Sequence, residues 1–140
     1  IIQIMGLPGS GKSTLAAALT ANLFFNKVVW LNADAVRERF DDWDFSPEGR
    51  LRQAYRMRKL ADEELVKDRN FVIIDMVAPL TEMRDLIAPD MLVWMDTISE
   101  GRYQDTNRMF EPPDYYDLRV TTQDADKWTK VLYEQISHKI

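Results

Sequence analysis

The run Gly6-Leu7-Pro8-Gly9-Ser10-Gly11-Lys12-Ser13-Thr14 constrains this chain more than any other stretch, because it satisfies the spacing G-x-x-x-x-G-K-[ST] at every fixed position. Before it, Ile1-Ile2-Gln3-Ile4-Met5 reads as a buried strand, and after it Leu15-Ala16-Ala17-Ala18-Leu19 is a strong helix former. Glycines at 6, 9 and 11 open backbone angles closed to other residues and let N–H groups approach an anion. The helix that follows adds its unpaired N-terminal donors and the positive end of its dipole. In such a loop Lys12 reaches the β- and γ-phosphates of a nucleoside triphosphate, and the Ser13 hydroxyl is placed to ligate Mg²⁺. A chance glycine-rich turn does not account for strand, loop and helix in this order, so a nucleoside triphosphate with Mg²⁺ is the expected ligand.

At 140 residues the chain is long enough for one domain with a full hydrophobic core, and a single domain over residues 1–140 is expected. Eighteen basic against 23 acidic side chains give a net charge of −5, which disfavours a nucleic-acid partner but allows a small anionic substrate in a local basic pocket. With no cysteine there are no disulfides, thiolate metal sites or cysteine nucleophiles. No apolar run has the length of a membrane span and no signal-peptide pattern is seen, so no membrane partner and a cytoplasmic location are expected. The chain starts inside its first strand without methionine, which leaves a short upstream segment open; a homodimer is left open too.

Along the chain, Asn26-Lys27 reads as a turn and Val28-Val29-Trp30-Leu31 as a second buried strand. Asn32-Ala33-Asp34-Ala35-Val36-Arg37 follow directly. At the carboxyl end of a parallel strand they face the site opened by the phosphate loop, which makes Asp34 and Arg37 candidates for chemistry and not merely for helix capping. Ser46 reads as an N-cap with Pro47 at the first position of a helix running to about Lys67. Arg50, Gln53 and Arg56 share one broad face of that helix. They either grip an anion or form a solvated surface paired with Asp62, Glu63 and Glu64, and spacing alone does not decide.

Phe71-Val72-Ile73-Ile74-Asp75 is a third strand ending in an acid, the form in which Asp75 helps hold the nucleotide's Mg²⁺. After Val77-Ala78-Pro79 comes a short helix with Glu82 and Arg84, then a fourth strand at Met91-Leu92-Val93-Trp94-Met95. Residues around 98–110 lie where a mobile lid is expected, with Arg102 and Arg108 either neutralising transition-state charge or lying on the surface. Leu118 to Thr122 reads as a fifth strand, and an amphipathic helix closes the chain from Asp126 through Ile136. Trp30, Trp94 and Trp128 are expected in the core and His138 on the surface. Strands alternating with helices predict an α/β architecture: a three-layer P-loop NTPase fold with a five-stranded parallel sheet flanked by helices.

Taken together, Leu31-Asn32-Ala33-Asp34-Ala35-Val36-Arg37, Asp44-Phe45-Ser46 with Arg50, Gln53 and Arg56, Val77-Ala78-Pro79, and Phe110-Glu111-Pro112-Pro113 resemble the adenylylsulfate kinase (APS kinase) family in order and spacing. The family's motifs read L-D-G-D-N-V-R, D-F-S followed by R-x-x-N-x-x-R, I-S-P and Y-E-P-P. The resemblance implies a transferase of sulfate assimilation that moves the γ-phosphoryl of ATP, with Mg²⁺, to the 3′-hydroxyl of adenosine 5′-phosphosulfate. It implies Phe45 against the substrate adenine, Arg37, Arg50 and Arg56 near the phosphosulfate, and Val77-Ala78-Pro79 along the substrate. Asn32 stands where the family has aspartate, Gln53 where it has asparagine and Ala78 where it has serine. The run from Ser99 to Arg108 replaces a longer, lysine-rich lid. Asp34-x-x-Arg37 is also similar to the acceptor side of polynucleotide 5′-hydroxyl kinases, where the aspartate takes the hydroxyl proton, and that role is expected of Asp34. Two alternatives stand beside this reading: a kinase for another hydroxyl acceptor (a polynucleotide 5′-end, a nucleoside or a small alcohol), and a nucleotide-binding module without catalysis.

Overall fold

Alternation along the first strand sets the layering. In the computed structural model, which describes residues 1–23, 27–67, 69–101 and 103–139, β1 (Ile2–Met5) lies at the centre of a five-stranded sheet. Ile2 and Ile4 face one apolar cluster, while Ile1 and Met5 face another, as the two-residue repeat of a strand requires. Both faces being covered, the strands are almost wholly apolar. The other strands are β2 (Val28–Asn32), β3 (Phe71–Asp75), β4 (Met91–Met95) and β5 (Leu118–Val120). All pair in parallel in the order β2-β3-β1-β4-β5.

On one face, α1 (Lys12–Asn22) and α6 (Ala125–Lys139) bury Leu15, Leu19, Leu132 and Ile136 against Ile4, Ile73 and Val93. On the other, α3 (Pro47–Val66) and α4 (Thr81–Ile87) bury Met57, Ala61, Met83 and Ile87 against Met5, Val72 and Ile74, with Val36 of α2 (Ala33–Phe40) at the rim. The expected three-layer α/β architecture is the one found. Ser46 caps α3 by accepting from Gly49 N at 3.1 Å, with Pro47 at its start. A short helix α5 (Gln104–Met109) lies within the expected lid stretch.

Two readings change. The fifth strand ends at Val120, short of Thr122, because its partner β4 ends at Met95, which is in register with Val120. Trp30 is not a plain core residue: its ring packs at the edge of the α1/α6 cluster but is half-buried, and its Nε1 donates to Asp75. Asn26, half of the expected Asn26-Lys27 turn, lies outside the described residues.

Candidate active site

The chain runs from β1 to β2 and β3 on one side and then crosses to β4 and β5 on the other, and a crevice opens beyond the carboxyl ends of β1, β2 and β3. A cavity of about 600 Å³ fills it. Its floor is Pro8, Gly9, Lys12, Ser13, Asn32 and Asp75; its far wall is Arg37, Trp43, Phe45, Arg50 and Gln53. Asp34 lies on the lining between them, and Ala33, Met76, Val77-Ala78-Pro79, Met83, Tyr103 and Thr106 complete it.

The floor is built by close approach. A Cβ on Gly6 would stand 2.7 Å from Met95 O and 2.8 Å from Ser10 Oγ, so only glycine lets the loop lie this close to β4. Gly11, at φ 100°, turns the chain into α1, where no L side chain is comfortable. Two residues outside the motif hold the loop from behind: Thr97 Oγ1 donates to Ser10 O at 2.7 Å and Gln123 Nε2 to Gly9 O at 3.2 Å. Lys12 Nζ donates to Leu7 O at 3.2 Å. Thr14 and Gly11 turn instead toward a second cavity of about 100 Å³ beside the loop, lined also by Gln123 and Trp128.

Ser13 Oγ donates to Asp75 Oδ2 at 2.7 Å. Asn32 Nδ2 reaches the same oxygen at 3.0 Å and Ser13 Oγ at 3.4 Å, and Trp30 Nε1 reaches Asp75 Oδ2 at 3.3 Å. The other end of the Asn32 amide accepts from Ala35 N at 3.0 Å, so Asn32, not Asp34, caps α2. Asp34 is thereby left exposed in the first turn, as a residue of the cavity lining.

On the far wall, Arg37 is only 4% exposed and Arg50 only 6%. Arg37 Nη1 donates to Asp42 O at 2.9 Å and Asp44 O at 3.1 Å, and its guanidinium lies 4.3 Å from the Phe45 ring centre. Arg50 Nε donates to Phe45 O at 2.8 Å, and Nη2 to Thr106 Oγ1 of α5 at 3.3 Å. Burial pushes Arg37 below the usual arginine range, partly offset by Asp42; arginine still keeps its charge. Phe45 itself stays 48% exposed with Trp43 beside it, ring centres 6.4 Å apart. These two buried cations and two open rings form a wall suited to a planar, anionic group.

The face shared by Arg50, Gln53 and Arg56 is therefore not a solvated surface. Gln53 is fully buried, donating to Ala33 O at 3.0 Å and accepting from Arg56 Nη1 at 2.9 Å. Arg56 does not reach the cavity lining, because Asp42 Oδ2 takes its Nη2 at 2.9 Å and the Phe40 ring covers it at 4.6 Å. Asp62 and Glu64 pair with Arg58, Lys67 and Arg69 instead. Arg108 is exposed on α5 and absent from the lining, and Arg102 lies outside the described residues.

Several residues that shape the site carried no motif. Gly49 is one: a Cβ there would overlap Asp44 O and Asp44 Cγ, so this glycine lets α3 carry the Asp42–Ser46 loop against its first turn. Arg84, 6% exposed, is another: it donates through Nε to Ala78 O at 3.0 Å and through Nη2 to Pro79 O at 3.3 Å and to Glu111 O. Tyr103, Thr106 and Trp43 reach the cavity from segments read only as lid or loop. Their signal, aromatic and hydroxyl side chains in loops facing a nucleotide site, is common and weak.

A parallel sheet of this order with a glycine loop, an α1 lysine and a strand-end aspartate defines the class: a P-loop kinase fold. The family model described as adenylylsulphate kinase matches residues 1–96, and the chain belongs to that family. Over 90 residues it is 37% identical to an adenylyl-sulfate kinase of Bacillus licheniformis, an alignment covering 62% of this chain and 45% of that protein. The chain thus matches less than half the length of this curated relative. Among solved structures, the APS kinase of Mycobacterium tuberculosis in complex with AMPPNP and APS superposes with a TM-score of 0.77 at 21% identity, covering 97% of this chain and 96% of that one. A hexameric APS kinase from Thiobacillus denitrificans gives 0.74 at 24% identity, over 99% of this chain and 28% of that one. At these identities the superpositions show the fold alone.

Proposed function

We propose that this chain is a single ATP-dependent kinase domain, with residues 98–110 as its lid, that transfers the γ-phosphoryl of ATP to the 3′-hydroxyl of adenosine 5′-phosphosulfate. The observation that carries the reading is that one cavity joins Lys12 and Ser13 at one end to Arg37, Phe45 and Arg50 at the other, with Asp34 on the lining between. Family membership supports this acceptor, as does the APS held by the similarly folded Mycobacterium tuberculosis kinase.

The loop amides and Lys12 bind the triphosphate, and the smaller cavity beside Trp128 lies open to the nucleoside end. Phe45 and Trp43 stack on the acceptor's base while Arg37 and Arg50 hold its anionic group. Asp34 orients the acceptor hydroxyl and takes its proton as the O–P bond forms. Ser13 and Asp75, hard oxygen groups held 2.7 Å apart on the floor, fit Mg²⁺. When bound there, it neutralises charge on the β- and γ-phosphates. Positioning and charge neutralisation carry most of the rate, since this chemistry asks for little covalent help.

A second acceptor is kept in view by Ala78, which offers no hydroxyl on a wall where the family has serine. The test is transfer of labelled γ-phosphate to adenylyl sulfate, nucleosides and an oligonucleotide 5′-hydroxyl. Labelling of adenylyl sulfate above the others is expected. Labelling of only another acceptor would keep the kinase and replace its substrate. ATP binding without any transfer would leave a binding module.

A further inference from the structure

We infer that Trp30 and Asn32 are positioning residues for Asp75, and that through them the site takes a divalent cation only together with a nucleotide. The inference rests on the nucleotide-binding reading above. Asp75 is 2% exposed, and three donors converge on its Oδ2: Ser13 Oγ at 2.7 Å, Asn32 Nδ2 at 3.0 Å and Trp30 Nε1 at 3.3 Å. They come from α1 and from β2, so the carboxylate is fixed from two directions. Ser13 spends its one proton on Asp75, which leaves its lone pairs to face the cavity.

Asn32 has no freedom to reverse. Its Oδ1 must accept from Ala35 N at 3.0 Å to cap α2, and so its Nδ2 must face Asp75. A carboxylate at position 32 would cap the helix equally well but would set a second negative charge beside the first. With the amide, this corner has Asp75 as its one carboxylate, and among the described residues no three His, Cys, Asp or Glu side chains are grouped so that they could hold a metal ion. Magnesium gives up water reluctantly and is usually held by one or two carboxylates plus phosphate oxygens. One tethered carboxylate and one hydroxyl leave most of its coordination to the phosphates, so the nucleotide must bring the cation.

Two measurements on the intact chain test this. In a titration of Mn²⁺ without nucleotide, followed by the electron paramagnetic resonance signal of the free ion, the wild type should leave Mn²⁺ free. Asn32→Asp should bind Mn²⁺ without nucleotide about tenfold more tightly, as a second nearby charge predicts. Equal nucleotide-free binding by the two proteins overturns the inference. Trp30→Phe keeps the ring and removes the donor. Its AMPPNP affinity should fall about tenfold in Mg²⁺, the usual cost of losing an outer partner of a metal site, and stay unchanged in EDTA. An equal loss in both buffers, or none in either, overturns it by showing a structural role or no role. Absence of AMPPNP binding in every buffer would overturn the nucleotide reading as well.

Discussion

Lys12, Asp34 and Gly49 each make a claim that one substitution tests. Lys12→Ala removes the only side-chain charge on the phosphate loop and should lower the transfer rate by about 10²-fold or more, several kcal/mol of transition-state stabilisation. Rate measurements at saturating ATP check it. Gly49 reverses a general rule. Alanine usually stabilises a helix interior over glycine by about 1 kcal/mol. Here its methyl would collide with backbone and side chain of Asp44, 2.8 Å from Asp44 Cβ and nearer still to Asp44 O. Gly49→Ala should cost about 1–3 kcal/mol in urea unfolding and weaken acceptor binding by displacing Phe45. The phosphate loop was legible in the sequence because every fixed position has a local chemical reason. Gly49 was not, since what excludes a side chain there is a loop folded back on the helix. Asn32 illustrates the same limit: an amide where an acid was expected reads as a loss, until the fold gives both its ends partners.

At the scale of elements, Arg84 of α4 ties two loops together. It donates to Ala78 O and Pro79 O on the cavity wall and to Glu111 O just past α5, under the Phe110 ring at 5.6 Å. Ala78 is held at φ 45°, a left-handed angle that needs such support. Arg84→Met should therefore raise KM for the acceptor while leaving that for ATP nearly unchanged, and Arg84→Lys should restore part of it; steady-state kinetics distinguish these. The start of α3 makes a different claim. Hydrogen bonds from Arg52, and next from Arg56, hold the Asp42 carboxyl well below the usual carboxylate range. A folded-state value below the unfolded one adds stability above about pH 4 that is lost as pH falls further. The urea midpoint of the wild type should thus drop more on acidification through that window than that of Asp42→Asn. Of these arginines, the sequence put Arg56 on a helix face and Arg84 on a short helix, without saying which carboxylate or carbonyl would meet either.

For the whole molecule, the layers follow from β1, β3 and β4 burying alternate residues on opposite faces; what is legible in the sequence is the continuous apolar run of each strand, because it is local. The order of the strands, and with it the meeting of Asp34, Arg37 and Lys12 in one crevice, depends on a crossover that no local pattern encodes. One residue departs from the pattern. Gln3 lies fully buried on the central strand in register with Ile74 and Leu92, and neither end of its amide has a partner among the described residues. An unpaired buried amide costs about 1–3 kcal/mol, so Gln3→Met, of similar length, should raise the urea midpoint with no effect on nucleotide affinity. The central claim is that Asp34 activates an acceptor hydroxyl in a cavity shared with ATP. Its most direct test is kcat/KM for adenylyl sulfate in the wild type and in Asp34→Asn, with ATP affinity measured on the same samples. Transfer should fall about 10²-fold or more with ATP affinity unchanged; undiminished transfer by Asp34→Asn would contradict the claim.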